Sequence, residues 1–137
     1  LFAFPCKFII LQNRILKGAG MSISFDIFFQ KPIFHLGLNV TVWAGHKWMR
    51  VNIDDWLVLK ESGKVGTITS GRVTGKALLP MRLIPEELLK NQHDPSCRNL
   101  SGLMTEMKRI YENFCESNIV TILLFTIYEL PKSKINF

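Results

Sequence analysis

The apolar residues in the first part of the chain follow a two-residue period. Between residues 22 and 29 every second side chain is apolar, which predicts a strand with one buried face. The same alternation in residues 39–43, with Val40 and Val42 on one side, predicts a second half-buried strand. Residues 56–59 predict a third strand. Residues 65–74 predict either one long bent strand or a hairpin, with bends at Gly66 and Gly71.

The second half of the chain changes to the helical period. Pro85 at a first helical position, followed by Glu86 and Glu87 at the positive end of the helix dipole, predicts a helix that ends near Asn91. Residues 119–128 are apolar on both faces, as expected of a strand inside a sheet. Between them, apolar residues at three- and four-residue spacing predict a second helix: Leu100, Leu103, Met104, Met107, Ile110 and Tyr111.

This order of strands and helices predicts the α+β class. Short glycine-containing strands favour a small, strongly bent β-barrel, with two or three short helices that cover its ends. The length of 137 residues suits one domain, and 47% hydrophobic with 20% charged residues is typical of a folded soluble protein. We assign the domain to residues 21–130 and a frayed tail to residues 131–137.

Residues 1–20 differ in pattern from the rest of the chain. They are rich in Phe and Ile without a clear period, and their positive charges lie inside the apolar stretch, unlike those of a signal peptide. The codons of Lys17, Gly18 and Ala19 can spell a purine-rich bacterial ribosome-binding site just before the codon of Met21. One hypothesis is therefore an untranslated leader read through in frame. The alternative is a short strand or helix that packs on the domain.

Cysteine usage and hydropathy indicate a cytoplasmic protein without a membrane partner. Cys6, Cys97 and Cys115 are scattered and form no CxxC pair, which favours reduced thiols and predicts no zinc site. The longest apolar run, residues 119–127, has the length of a strand and is too short to cross a bilayer.

The positive charge of the chain is modest once the first twenty residues are set aside. The formal net charge is +6. Lys7, Arg14 and Lys17 account for three of the 17 basic residues, so 14 basic and 11 acidic residues remain after residue 20, a net charge of +3. This balance permits a polyanion partner through a local patch but does not require one.

The candidate site is the turn that follows the second strand. Gly45 interrupts the alternation and is followed by Lys47, Trp48 and Arg50, with Thr41 on the strand before it. A glycine lets backbone approach a ligand closely, cations attract phosphate or carboxylate, and an indole offers a face for stacking a base. The alternative is an ordinary hairpin end with solvated basic residues.

Two other groups of residues have the side chains for phosphate or metal binding, but neither matches a recognised site. The glycines between residues 66 and 76 do not form the GxxxxGK[ST] loop that cradles phosphates, so no nucleotide cofactor or other cofactor is predicted. His93, Asp94 and Cys97 resemble half of a metal site or a Cys-His pair. No further ligand lies at a known spacing, so we interpret them as a loop and predict no metal.

Several pieces of the sequence, taken in order, resemble the ASCH domain, a PUA-like β-barrel family linked to RNA. The resemblance covers residues 23–129. It rests on the Gly45-x-Lys47 turn with Arg50 nearby, the strand from Asp55, and the glycine-containing residues 65–74. The remaining pieces are Ile84-Pro-Glu-Glu-Leu, and the helix of residues 99–111 that leads into the last strand.

The resemblance implies a cleft beside the GxK turn for RNA or a modified nucleoside. One branch resembles small amidohydrolases that deacetylate N4-acetylcytidine with a lysine, a threonine and a glutamate. The lysine corresponds to Lys47, whereas Arg50 takes the threonine position and Arg98 the glutamate position. Two of the three groups are therefore replaced by cations, and no general base is evident. Glu86, Glu87 and Asp94 are candidate substitutes, but their spacing selects none of them.

We therefore favour a binding module for RNA or a nucleotide-like anion over an enzyme. Its predicted ligand-binding residues are Thr41, Gly45, Lys47, Trp48, Arg50 and Arg98. The second hypothesis is an amidohydrolase acting on an acylated nucleoside, with Lys47 as the catalytic residue. The third is a protein-interaction or structural domain in which the turn is merely solvated.

Overall fold

The computed structural model describes residues 22–131, so the predicted extension of residues 1–20 and most of the predicted tail lie outside the described residues. Within residues 22–131 there are two helices, α1 (Glu86–Leu89) and α2 (Leu100–Ile110), together with 3-10 turns at Lys47–Arg50, Met81–Leu83 and Pro95–Cys97. The strands are β1 (Ser24–Phe29), β2 (Gly37–Ala44), β3 (Trp56–Glu61), β4 (Thr69–Pro80) and β5 (Ile119–Ile127).

The strands form one mixed sheet in the order β1-β3-β4-β5-β2. β1 and β3 pair in parallel, and every other neighbouring pair is antiparallel. The predicted α+β class is thereby confirmed. β5 lies between β4 and β2, which confirms that the strand with two apolar faces is an interior one. The two edges of the sheet are β1 and β2.

The sheet is curled so strongly that its two edge strands approach each other. In a flat sheet, four strand spacings of about 4.8 Å place the edges roughly 19 Å apart. The rings of Phe29 on β1 and Trp43 on β2 are 6.1 Å apart. The strong bending of the predicted small β-barrel is therefore present, but within residues 22–131 no hydrogen-bonded ladder joins β1 to β2 to close it.

The irregularity of β4 lies at neither of the two glycines that were predicted to bend it. β4 begins at Thr69 and runs for 12 residues, and its register against β5 shifts between Val73 and Gly75. Gly66 lies outside β4 with φ +100°, so its positive φ belongs to a loop. Gly71 lies within β4 beneath an aromatic ring, because a Cβ there would be 2.5 Å from the Phe125 side chain. Close packing, and not a bend, is what requires glycine at that position.

Two apolar clusters lie on opposite faces of the curled sheet. One fills the curl and includes Ile27, Phe29 and Trp48. The other joins the sheet to the helices through Val40, Val42, Leu103 and Met107, among others. β2 is consequently buried on both faces, and the prediction of a half-buried strand is wrong. The physical reason is that β1 curls over the face of β2 that would otherwise meet solvent.

The two helices are joined at their N-terminal ends. The predicted first helix is a single turn, and Pro85 is the residue before it instead of its first residue. The Glu86 carboxylate accepts a hydrogen bond from the backbone N–H of Leu100 at 2.7 Å. The Asn99 side chain accepts another from the backbone N–H of Gly102 at 2.7 Å. These bonds satisfy donors that the start of α2 leaves free, and the Glu86 bond joins α1 to α2.

Candidate functional site

The turn that carries the cations is fixed at its corner by Gly45. Its φ is +80°, a conformation that favours glycine. The Gly45 N–H donates to the Ile119 carbonyl at 2.9 Å. The Gly45 carbonyl accepts from the Thr121 hydroxyl at 2.6 Å. The first strand residues of β5 therefore set the direction in which the chain leaves β2.

Two buried or half-buried charged residues hold the far side of the same turn. The Lys76 ammonium donates to the Met49 carbonyl at 2.9 Å and to the Asn52 side chain at 3.1 Å. The Asp55 carboxylate accepts from the backbone N–H of Asn52 at 2.8 Å and from that of Ile23 at 3.1 Å. The turn is thus tied to β4, to β3 and to the start of β1.

Lys47 and Arg50 flank one indole. The Lys47 Nζ is 5.9 Å from the centre of the Trp48 ring, and the Arg50 Cζ is 5.7 Å from the same centre. Arg50 also lies 5.2 Å from the ring of Phe25. Trp48 is only 8% exposed and packs against Trp43, with ring centres 5.7 Å apart. Its ring therefore orients the two cations and presents little free surface to solvent.

The cations line a concavity between the two edge strands, which we call the outer cleft. Its volume is about 500 Å³. The Asp26 carboxylate also lines it and pairs with Lys60 at 3.0 Å. The outer cleft is bordered by Asp26 and Phe28 of β1, Trp43 and Ala44 of β2, Lys47, Trp48 and Arg50 of the turn, and Tyr111 after α2.

A second cavity continues between the edge strands towards α2, and we call it the inner cleft. Its volume is about 240 Å³. Thr41 and Trp43 of β2 line it, and in the described part of the chain the Thr41 hydroxyl and the Trp43 Nε1 are buried without a hydrogen-bond partner. Its other walls come from β1, the 92–97 loop and α2, including Phe28, Phe29, His93, Asp94, Cys97, Glu106, Met107 and Tyr111.

His93, Asp94 and Cys97 of the inner cleft have perturbed pKa values. Burial lowers the pKa of His93, whose Nδ1 lies 2.9 Å from the Lys31 carbonyl oxygen. Because a carbonyl only accepts, Nδ1 carries the proton of the neutral ring and Nε2 is left as an acceptor. Burial by itself raises the pKa of Asp94, but hydrogen bonds from Ser96 and the charge of Lys31 outweigh it, so the pKa lies below its usual value. Burial raises the pKa of Cys97 to about 11.

The predicted site residues are divided between these places. Lys47, Trp48 and Arg50 line the outer cleft, Thr41 lines the inner cleft, and Gly45 forms the corner. Arg98 borders neither cleft, because its Nε donates to the Gln92 carbonyl at 2.9 Å and holds the 92–98 loop.

Apart from Asp94, the sequence analysis did not identify the carboxylates that border the two clefts. Glu86 is engaged at the start of α2, and Glu87 pairs with Lys90 at 3.6 Å. Asp26 and Glu106 border the clefts instead. The available signal was the alternation of β1, which turns Asp26 away from the core.

Neither a metal site nor a membrane-spanning helix is found in the described residues. Across residues 22–131, no group of three or more His, Cys, Asp or Glu side chains is arranged to hold a metal ion. Over the same range, none of the helices has both the length and the apolar character needed to span a bilayer.

Comparisons with known proteins identify the fold. No family model and no curated protein sequence matches the chain. A crystal structure of an ASCH domain from Lactobacillus crispatus JV V101 matches with a TM-score of 0.56 at 8% identity, covering 90% of this chain and 94% of that chain. A crystal structure of a protein from Enterococcus faecalis V583, described by the family model DUF984, matches with a TM-score of 0.52 at 11% identity, covering 95% and 92%. The chain therefore has the ASCH/PUA-like fold that its sequence resembles.

Proposed function

We propose that the protein binds RNA or a nucleotide-like anion in the cleft between β1 and β2, with phosphate held by Lys47 and Arg50. The observation that carries this proposal is the position of both cations on the wall of one concavity of about 500 Å³. A concavity lined by two positive charges concentrates anions and attracts phosphate.

The charges of Lys47 and Arg50 are free to bind a ligand. Within residues 22–131, neither side chain lies within ion-pair distance of a carboxylate. Many other cations of the domain do have acidic partners, namely Lys31, Lys60, Lys64, Arg72, Lys90 and Arg109. An anion that enters the outer cleft therefore does not have to displace an existing ion pair.

Aromatic side chains beside the cations supply the contact for a base. Phe28 is 49% exposed and borders the outer cleft, whereas Trp48 is 8% exposed. A base therefore stacks on Phe28 and the open part of Trp43, while Trp48 supports the two cations from below. Such stacking contributes about 1–3 kcal/mol per base and tolerates different base identities.

The test is the salt dependence of RNA binding. Fluorescence anisotropy with a labelled single-stranded RNA should give a dissociation constant that rises steeply with salt, with a logarithmic slope of about 0.7 per phosphate contact. Lys47→Ala and Arg50→Ala should each reduce that slope by about one contact. Lys90→Ala is the matched control, because Lys90 is exposed, borders neither cleft and pairs with Glu87. Absence of binding at low salt, or an equal loss of slope in the control, contradicts the proposal.

A second candidate function is hydrolysis of an acylated nucleoside. The observation that favours it is that the Asp26 carboxylate borders the same outer cleft as Lys47. A carboxylate at that position is able to accept a proton from an attacking water molecule, the role for which the sequence offered no residue. Incubation with N4-acetylcytidine should then release acetate, and both Lys47→Ala and Asp26→Asn should abolish the release. If the unaltered protein releases no acetate, this candidate is eliminated and binding remains.

The third candidate, a protein-interaction or structural domain, has no comparable support. A structure with Lys47 and Arg50 far apart, and with no pocket between them, would favour it. Both line the outer cleft and both lie within 6 Å of the Trp48 ring centre, at 5.9 Å and 5.7 Å.

A further inference from the structure

Two residues that line the inner cleft carry buried polar atoms without a hydrogen-bond partner among the described residues. Thr41 is 1% exposed, and neither its hydroxyl nor the Trp43 Nε1 has a hydrogen-bond partner in the part of the chain that the structure describes. The two residues are two positions apart on β2, so their side chains lie on the same face of the strand. Buried polar side-chain atoms in folded proteins are nearly always bonded, so a pair of unbonded ones on one cavity wall needs an explanation.

We propose that the inner cleft binds a neutral, carbonyl-bearing single ring, the base of a pyrimidine nucleotide whose phosphate occupies the outer cleft. The Trp43 Nε1–H and the Thr41 hydroxyl bind this ring by hydrogen bonds. The inference rests on the proposed function and extends it from a general anion to one class of nucleotide.

The charges around the inner cleft select a neutral group. Asp94 and Glu106 border it, and both are already paired, Asp94 with Lys31 at 3.7 Å and Glu106 with Arg109. A phosphate placed here would meet two carboxylates and no free cation, and a buried charge without a partner is strongly disfavoured. The phosphate therefore stays with Lys47 and Arg50, and the uncharged part of the ligand enters the inner cleft.

The donors and the size of the cavity define the ring. An indole N–H donates and never accepts, so the ligand atom that meets Trp43 must be an acceptor such as a carbonyl oxygen. The volume of about 240 Å³ exceeds the roughly 150 Å³ of an apolar cavity that accommodates benzene. One substituted ring fits such a space between the aromatic walls of Phe28, Phe29 and Tyr111.

One ligand is able to reach both clefts. Phe28, Trp43 and Tyr111 border the inner and the outer cleft alike, so the two cavities share a boundary. A ribose between base and phosphate spans this boundary. The ligand is thereby oriented with its base towards α2 and its phosphate towards the Lys47–Arg50 turn.

The experiment is isothermal titration of the whole protein with uridine, uridine monophosphate and adenosine monophosphate. The uridine nucleotide should bind at least about tenfold more tightly than the adenosine nucleotide, whose base is larger and has no carbonyl. Thr41→Val and Trp43→Phe should each weaken uridine and its monophosphate by a similar factor, about fivefold, because each removes one neutral hydrogen bond. Lys47→Ala should weaken the monophosphate and leave uridine unchanged.

Matched controls and contrary results separate this inference from the proposed function. Thr126→Val and Trp56→Phe alter residues of the same types that border neither cleft, and they should leave all three affinities unchanged. Equal affinity for the two monophosphates, or no effect of Thr41→Val and Trp43→Phe, overturns the inner-cleft site. RNA binding without any uridine binding overturns it as well and leaves the proposed function in place. Weaker uridine binding by Thr41→Val supports the ring site. If Lys47→Ala binds the monophosphate as tightly as the unaltered protein does, the phosphate site is refuted.

Discussion

Replacing Thr41 with valine tests the unpaired hydroxyl through the free energy of unfolding. Valine keeps the shape of threonine, so the change removes one polar atom without opening a cavity. A buried polar atom without a partner costs about 1–3 kcal/mol, and the Thr41 hydroxyl is buried and unpaired among the described residues. Because the inner cleft opens to solvent, we expect a value near the lower end. Thr41→Val should therefore stabilise the free protein by about 1 kcal/mol and raise its melting temperature by roughly 3–6 °C.

Thr121 provides a control with the opposite sign. It is also fully buried, on the neighbouring strand β5, but its hydroxyl donates to the Gly45 carbonyl at 2.6 Å. Thr121→Val should lower the free energy of unfolding by about 1 kcal/mol, because a buried acceptor loses its donor. Urea unfolding followed by tryptophan fluorescence measures both changes, with the denaturant dependence unaltered. If both substitutions destabilise the protein, the Thr41 hydroxyl has a partner in solution and the reasoning is refuted.

Individual side chains give three more outcomes. Burial raises the pKa of Cys97 to about 11, whereas a neighbouring serine hydroxyl lowers the pKa of the exposed Cys115. Brief iodoacetamide treatment at pH 8 should therefore alkylate Cys115 first, and mass spectrometry showing equal labelling would contradict this. Burial lowers the pKa of His93 in the folded state, so below about pH 6.5 the unfolded chain binds more protons than the folded protein does. The free energy of unfolding therefore decreases as the pH falls from about 6.5 to the folded pKa. Urea titrations from pH 7 to pH 5 should show a smaller loss for His93→Gln than for the unaltered protein, and an equal loss would exclude this role. Gly102→Ala should lower the free energy of unfolding by about 1–3 kcal/mol or more, because its Cβ would lie 1.9 Å from a backbone carbonyl oxygen. Gly75→Ala, whose nearest neighbour would be 3.6 Å away, should be nearly neutral, and similar losses at both positions would show that the contact is not the cause.

Local periodicity was sufficient to predict β1 and α2. In β1, Ile27 and Phe29 are buried and Asp26 is exposed, as the two-residue period requires. In α2, Leu103 and Met107 are buried at the helical spacing. These residues were predictable because strand and helix geometry alone decide which side chains share a face.

Long-range pairing was not predictable in the same way. β1 pairs in parallel with β3 and its side chains curl over β2, and nothing in the sequence of either strand encodes these partners. The half-buried appearance of residues 39–43 was misleading for this reason, since the polar-looking side of β2 faces the curl and not solvent.

The outer cleft was partly predictable and the inner cleft was not. Lys47 and Arg50 lie on one short turn, so sequence spacing alone brings them together around Trp48. The walls of the inner cleft come from β1, β2, the 92–97 loop and α2, which are distant in sequence. Arg98 was assigned to the cleft by motif position only, and its guanidinium instead bonds the Gln92 carbonyl.

The polar groups that do have partners explain why the two unpaired atoms point to ligand binding. Asp55, Lys76 and Asp94 are charged groups in or near the core, and each is satisfied by hydrogen bonds. Those of Asp55 and Lys76 join separate segments of the chain, and those of Asp94 stay within its own loop. The fold therefore supplies hydrogen-bond partners even to buried charged groups. Among the described residues it leaves the Thr41 hydroxyl and the Trp43 Nε1 without partners, and both residues line the same cavity. A packing fault at these positions predicts that Thr41→Val only stabilises the protein. A ligand site predicts that the same substitution stabilises the free protein and weakens ligand binding. The reason is that the Thr41 hydroxyl destabilises the free protein while it is unpaired and forms a hydrogen bond once the ring is bound.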